Sequence, residues 1–231
     1  MKKGLTVSKS RQITYFALLV ALTVVLQLFA NSIPVGAASI NLTLVPIVIA
    51  GMILGVWFAT AIGVISGIIT MIQVVSGAGG FFSVLFGYSP VIIVLVCVLK
   101  ITAAAFVGAL LFETIKNKRV ATFVSAAAVP MVNTLVFVLG MLIVSGHMSV
   151  AINDFNAAIG STVFSMESGV IAFILVVLVG FNFPIEIGVN VILAPAIYNV
   201  VRIVYKRISG SKRPDETVET VKNDVSEGGE R

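Results

Sequence analysis

The sequence predicts an all-α polytopic membrane protein of six transmembrane helices, with the N- and C-termini cytoplasmic. Its 231 residues are 58% hydrophobic and only 11% charged, and the mean hydropathy is +1.12. That leaves too little polar surface to cover a water-soluble globule. The apolar residues come in runs close to the roughly 20 that a helix needs to cross a bilayer. Lysine and arginine are confined to the N-terminus (Lys2, Lys3, Lys9, Arg11), to Lys116, Lys118 and Arg119, and to the stretch from Arg202 onward, with Lys100 the exception. If these three groups are cytoplasmic, as the positive-inside rule expects, an even number of spans separates each pair.

The elements follow in chain order. Residues 1–12 form a basic cytoplasmic N-terminus, and the membrane domain occupies 13–207. The first apolar run, 13–30, exceeds the 7–15 residues or so of a signal peptide, and apolar segments continue to the far end of the chain. Although residues 35–38 imitate a cleavage site, a retained first span is expected. The run 44–76 is too long for one untilted span and carries Gly51, Gly55 and Trp57 near its middle. Read as one helix it would put Lys116 to Arg119 outside, so it divides into spans 44–55 and 57–76. A fourth span, 90–112, ends at the basic connector, and a fifth covers 120–144. Two full spans within 166–205 would strand Lys206, Arg207, Lys212 and Arg213 outside. One sixth span, 183–204, is therefore expected, preceded by an interfacial or partly inserted helix on the outer side over 166–181. Residues 208–231 are rich in Lys, Arg, Asp, Glu, Ser and Gly and read as a disordered cytoplasmic tail.

Several function classes drop out. One cysteine, Cys97, and one histidine, His147, provide neither a disulfide framework nor a Cys/His metal site. No metal and no cofactor is expected. Ser76-Gly-Ala-Gly-Gly80 lacks the Gly-Lys-Ser/Thr that would complete a phosphate loop. The basic residues sit at chain ends and in one connector, not in a patch among aromatics, so no nucleic-acid partner is expected. The spans also lack a plausible nucleophile–base pair, which argues against an enzyme.

Polar side chains inside hydrocarbon are costly unless they face a partner or a water-filled cavity, so each is a candidate for function. Gln27 and Gln73 fall near the outer ends of the first and third spans, and Asn133 lies in the outer half of the fifth. Lys100 falls near the midplane, suited to a ligand carboxylate or phosphate or to pairing with Glu186. Asn182, Glu186 and Asn190 recur every four residues, so they share one helical face descending from the outer surface. Pro184 suits the first turn of that helix. The outer connectors, 31–43 with Asn41 and Thr43 and 76–90 with Tyr88, are longer than the inner links, as binding loops often are. The competing explanation is structural: Asn182 as a cap, Glu186 complementing the helix dipole, and the asparagines bonding to neighbouring helices. The joint bias toward the outer half favours a substrate-binding site made of Asn41, Thr43, Gln73, Tyr88, Lys100, Asn133, Asn182, Glu186 and Asn190. Ala17 and Ala21, four apart, allow close helix approach, either within the bundle or to a separate membrane subunit.

These features resemble the S components of energy-coupling factor (ECF) transporters. The resemblance rests on Ala17-Leu-Leu-Val-Ala21, on Asn41-Leu-Thr-Leu-Val-Pro46 leading into Gly51-Met-Ile-Leu-Gly55, and on Asn182-Phe-Pro-Ile-Glu186 through Asn190 to Leu193-Ala-Pro-Ala-Ile-Tyr198. It implies a subunit that captures a water-soluble vitamin or related small molecule outside. Its partners would be a T component, docked on Ala17 and Ala21, and two cytoplasmic ATPases, with the S component toppling to release its vitamin inward. The alternative reading is a self-sufficient secondary carrier or channel in which Lys100 and Glu186 serve coupling.

Overall fold

The computed structural model describes residues 9–30, 34–35, 38–39, 42–160, 162, 165, 169–180 and 182–209. The N-terminal basic residues Lys2 and Lys3, most of the first connector including Asn41, and the tail from 210 lie outside the described residues. α1 (Lys9–Ala30), α3 (Val56–Val75), α5 (Pro90–Thr114) and α6 (Lys118–Ile143) are long and apolar enough to cross a bilayer, and so is the Val170–Ile203 segment. α2 (Leu44–Ile53) is equally apolar but has only 10 residues, about 15 Å of helix or half the hydrocarbon thickness. β1 (Pro34–Val35) pairs antiparallel with β2 (Ala38–Ser39) in the first connector.

The long apolar run breaks between α2 and α3 because Gly55 adopts φ 93° and ψ −179°, a conformation that side-chain-bearing L-residues avoid. The turn is seated beside the end of α5, where Val56 N donates to Glu113 Oε1 at 3.3 Å. That end of the bundle also holds the basic connector. Lys118 Nζ donates to Phe112 O (2.7 Å) and Ile115 O (3.3 Å), satisfying carbonyls at the C-terminus of α5. Asn117 caps α6, its Oδ1 accepting from Arg119 N at 3.1 Å and Val120 N at 3.4 Å.

Lipid removes most of the hydrophobic incentive for helices to associate, so close packing and interhelical hydrogen bonds must hold the bundle. α3 and α5 run antiparallel with glycines at their contact. A Cβ on Gly63 would lie 2.8 Å from Ala105 Cβ, and one on Gly67 would lie 2.7 Å from Val98 Cα. α6 packs antiparallel on α5 with Gly108 against Val129 and Gly140 against Val96, and Ser125 Oγ donates across to Gly108 O at 2.9 Å. α1 is the least embedded helix. It buries Leu19, Thr23 and Gln27 and leaves Leu18, Leu22, Val25, Leu28 and Phe29 exposed.

Two helices arise where the sequence reading has only connectors. α4 (Phe81–Tyr88) starts at Gly80, whose φ is 58°, and buries Phe81 and Leu85 one turn apart. α7 (Met148–Ile159) follows a 3-10 turn at Ser145–His147 and buries Met148, Ala151 and Ile152. α8 (Val170–Ala172) passes directly into a π-helical stretch, Phe173–Val179. Phe173, Ile174 and Leu178 join Phe81, Leu85, Ile93, Met141 and Met148 in one apolar cluster at the end opposite the basic connector. Residues 170–179, within the segment read as interfacial or partly inserted, thus pack against that end of α5 and α6. α9 (Asn182–Ser209) completes the bundle. Toward the basic end, a second cluster joins Leu44, Val48, Ala104, Phe112, Val129, Ile197 and Val201.

Candidate functional site

Between the two apolar clusters lies a layer of polar side chains drawn from every long helix. On one side it is a continuous hydrogen-bonded chain. Thr43, the residue before α2, is fully buried with its Oγ1 3.3 Å from Ser66 Oγ. Ser66 Oγ donates to Gln27 Oε1 at 3.0 Å, and Gln27 Nε2 donates to Thr70 Oγ1 at 2.8 Å and to Gln73 Oε1 at 3.4 Å. This chain ties α1, α2 and α3 together, each bond contributing about 0.6 kcal/mol in a membrane setting. Because α2 is short, its N-terminus is halfway through the bundle. Ser66, ten residues above the first residue of α3, stands about 15 Å from the basic end.

The other side belongs to α5, α6 and α9. Gly67 touches Val98, which places Lys100, two residues on, within about 3 Å of the level of Ser66 along the helix axis. The Lys100 ammonium lies 5.2 Å from the centroid of the Phe137 ring, a cation–π contact between α5 and α6. Asn133, one turn along α6 from Phe137, is 5% exposed, and its Oδ1 is buried without a hydrogen-bond partner. On α9, Glu186 (5% exposed) and Asn190 (1%) head a buried stripe that continues through Ala194, Ile197 and Val201. Asn190 Nδ2 donates to Glu186 O at 2.8 Å, and Asn190 Oδ1 has no partner. Arg119 meets the Tyr198 ring near the basic end, 5.9 Å from its centroid. Fourteen residues along α6 to Asn133 and twelve back along α9 to Glu186 are about 21 and 18 Å, so both residues reach the same layer.

Tyr88 stands apart from this layer. It is exposed at the end of α4, where its hydroxyl donates to Asp154 Oδ2 on α7 and its ring stacks on His147 at 6.1 Å. Ser89 Oγ approaches His147 Nδ1 at 3.3 Å. The hydrogen bond to Asp154, then desolvation and the carboxylate charge, raise the Tyr88 phenol above its ordinary 10.0, so it remains a neutral donor at physiological pH. Twelve residues, about 18 Å along a helix, separate Tyr88 from Lys100. The contacts at Tyr88 clasp α4 to α7.

Of the expected site residues, Thr43, Gln73, Lys100, Asn133, Glu186 and Asn190 therefore belong to the layer, with Gln73 at its upper margin. Asn182 is the first residue of α9, and Asn41 lies outside the described residues. Ala17 and Ala21 are both exposed on α1. Gln27, Ser66 and Phe137 are additional members. Gln27 was visible in the sequence as an amide in a span. Ser66 was hidden among hydroxyls that mostly bond to their own helix, as Thr23, Thr60, Thr70, Thr102 and Thr122 do. No group of three or more His, Cys, Asp or Glu side chains among the described residues is arranged to hold a metal ion.

The chain matches the family model described as "ECF transporter, substrate-specific component" over residues 11–198. No curated protein and no solved structure matches it.

Proposed function

Because the chain belongs to the substrate-specific components of ECF transporters, a family of multi-pass plasma-membrane transport proteins, we propose that it captures a water-soluble, vitamin-like solute at the outer face. It delivers that solute inward together with a T component and two cytoplasmic ATPase subunits. It acts by binding and reorientation and performs no chemistry on the solute. The observation that carries this reading is the polar layer halfway through an otherwise apolar bundle, beginning at the N-terminus of a half-length helix. Amides, hydroxyls, a carboxylate and an ammonium are expensive to maintain in lipid, and here α1, α3, α5, α6 and α9 contribute them together with Thr43 at the start of α2. The basic connector then marks the cytoplasmic end, and the layer is reached from the opposite, outer end.

Reconstitution into liposomes tests the reading. The chain alone is expected to bind solute without accumulating it. Co-reconstitution with a T component and two ATPases is expected to give uptake that stops when ATP is withheld. Uptake by the chain alone would overturn the proposal in favour of a self-sufficient carrier.

Lys100 provides a narrower test. A hydrogen bond to a charged group is worth about 1.5–3 kcal/mol, so Lys100→Met is expected to weaken an anionic solute about 10- to 100-fold. A neutral analogue should change little. Equal affinity for the anionic solute in both proteins, measured by titration calorimetry, would reduce Lys100 to packing on Phe137.

A further inference from the structure

We propose that the cytoplasmic ends of α6 and α9 hold the headgroup of one anionic phospholipid between Arg119 and Arg202. The Arg119 guanidinium lies 5.9 Å from the centroid of the Tyr198 ring, which brings the start of α6 against the last turns of α9. Arg202 follows Tyr198 by four residues, one turn along the same face of α9. Two cations from different helices thus meet around one ring, and both are exposed. The chain offers them no carboxylate nearby. Between Lys9 and Ser209 it has four acids, Glu113, Asp154, Glu167 and Glu186. Glu113 accepts from Val56 N at the start of α3, Asp154 holds Tyr88 at the opposite end, and Glu186 is buried in the polar layer. Glu167 lies outside the described residues.

Depth and surroundings favour a lipid over a soluble anion. About 36 Å of helix separates Arg119 from Ile143 at the far end of α6, more than the roughly 30 Å of hydrocarbon, so Arg119 stands at the level of the phosphates. Phe123, one turn from Arg119 toward the bilayer, and Pro195, three residues before Tyr198, are both exposed. An acyl chain can lie along them while its phosphate meets the guanidinium forks, whose planar donors match phosphate oxygens. Basic sites between helices on the cytoplasmic side take anionic headgroups in this way. Asn117 Oδ1 already occupies the N–H groups of Arg119 and Val120, so side chains and not the helix end hold the phosphate.

The test uses the full chain in detergent with phosphatidylglycerol or phosphatidylcholine, and native mass spectrometry counts the lipids retained. One phosphatidylglycerol is expected to bind at least about 10-fold more tightly than phosphatidylcholine, with Arg119→Gln and Arg202→Gln each weakening it by about 10-fold or more. Lys116→Gln removes the same charge from the same end without touching the pair, and should leave that affinity unchanged. Equal retention of the two lipids overturns the proposal. So do equal losses in all three variants, which would reduce the effect to a diffuse positive field. Displacement of the lipid by millimolar inorganic phosphate would reassign the site to a soluble anion. Binding that emerges only after Asp215→Asn, Glu216→Gln and Glu219→Gln would make the acidic C-terminal segment the occupant and also overturn it. None of these outcomes bears on solute capture.

Discussion

Replacing Ala17 or Ala21 by tryptophan is expected to abolish association with the T component while leaving solute capture intact. Along α1, Leu19 and Thr23 are buried against the bundle and Ala17 and Ala21 are exposed. Each alanine precedes its buried counterpart by two residues, about 200° around the helix, so the pair lies on the face turned away from α3. Two small residues one turn apart let a partner helix bring its backbone close, and van der Waals packing at that distance drives association in lipid. An indole at either position would hold the helices apart by several ångströms and remove that contact. Co-purification with an affinity-tagged T component reads out docking, and a solute titration on the same preparation reads out capture. Lost capture with docking retained would show that this face serves the site and not a partner.

The second large effect is expected at Gly67, one of the two glycines through which α3 packs on α5. A Cβ there would lie 2.7 Å from Val98 Cα and 3.1 Å from Cys97 O, both backbone atoms. Backbone cannot swing aside like a flexible side chain, so Gly67→Val must push two long helices apart. Overpacking costs about 1–3 kcal/mol in well-packed cores, and here the displacement also reaches Ser66, which donates to Gln27. Thermal unfolding in detergent should show a clear drop in melting temperature and loss of solute capture. Gly87→Ala is the control, because it is a helical glycine with nothing within 4 Å of its added Cβ and should melt like the native protein or slightly higher. Equal melting of Gly67→Val and the native chain would mean that the α3–α5 contact can open without cost.

These two sites illustrate how unevenly the molecule could be read beforehand. Ala17 and Ala21 stand out as a spaced pair in the sequence, yet whether they face the bundle or lie free on α1 could not be decided from spacing. Gly63 and Gly67 have the same spacing, and they are buried. Leu18 and Leu19 differ in nothing but position, one 59% exposed and the other 5%. In water, hydropathy would separate such faces. In lipid it does not, because an acyl chain is as apolar as leucine.

The candidate site was legible in its ingredients and not in its grouping. Lys100, Asn133, Glu186 and Asn190 are conspicuous in apolar runs, and their depth follows from helix rise alone. Tyr88 was conspicuous too, but α4 carries it to the rim, where Asp154 and His147 occupy it. Neither α4 nor α7 announces itself. Eight and 12 residues are too few for a firm periodicity, and their stability comes from packing Phe81, Leu85, Met148 and Ile152 into a cluster built by distant parts of the chain.

Local composition and hydropathy suffice for the membrane class and the helical fold. Both follow from a local rule: backbone in hydrocarbon must satisfy its own hydrogen bonds, which a long apolar helix does within itself. That Thr43, Ser66, Gln27 and Gln73 form one hydrogen-bonded chain, that Lys100 lies over Phe137, and that the amide oxygens of Asn133 and Asn190 have no protein partner emerges at the level of helix packing. Those outcomes depend on how the helices are rotated against one another. That rotation is set by glycine contacts and interhelical hydrogen bonds between residues far apart in the chain.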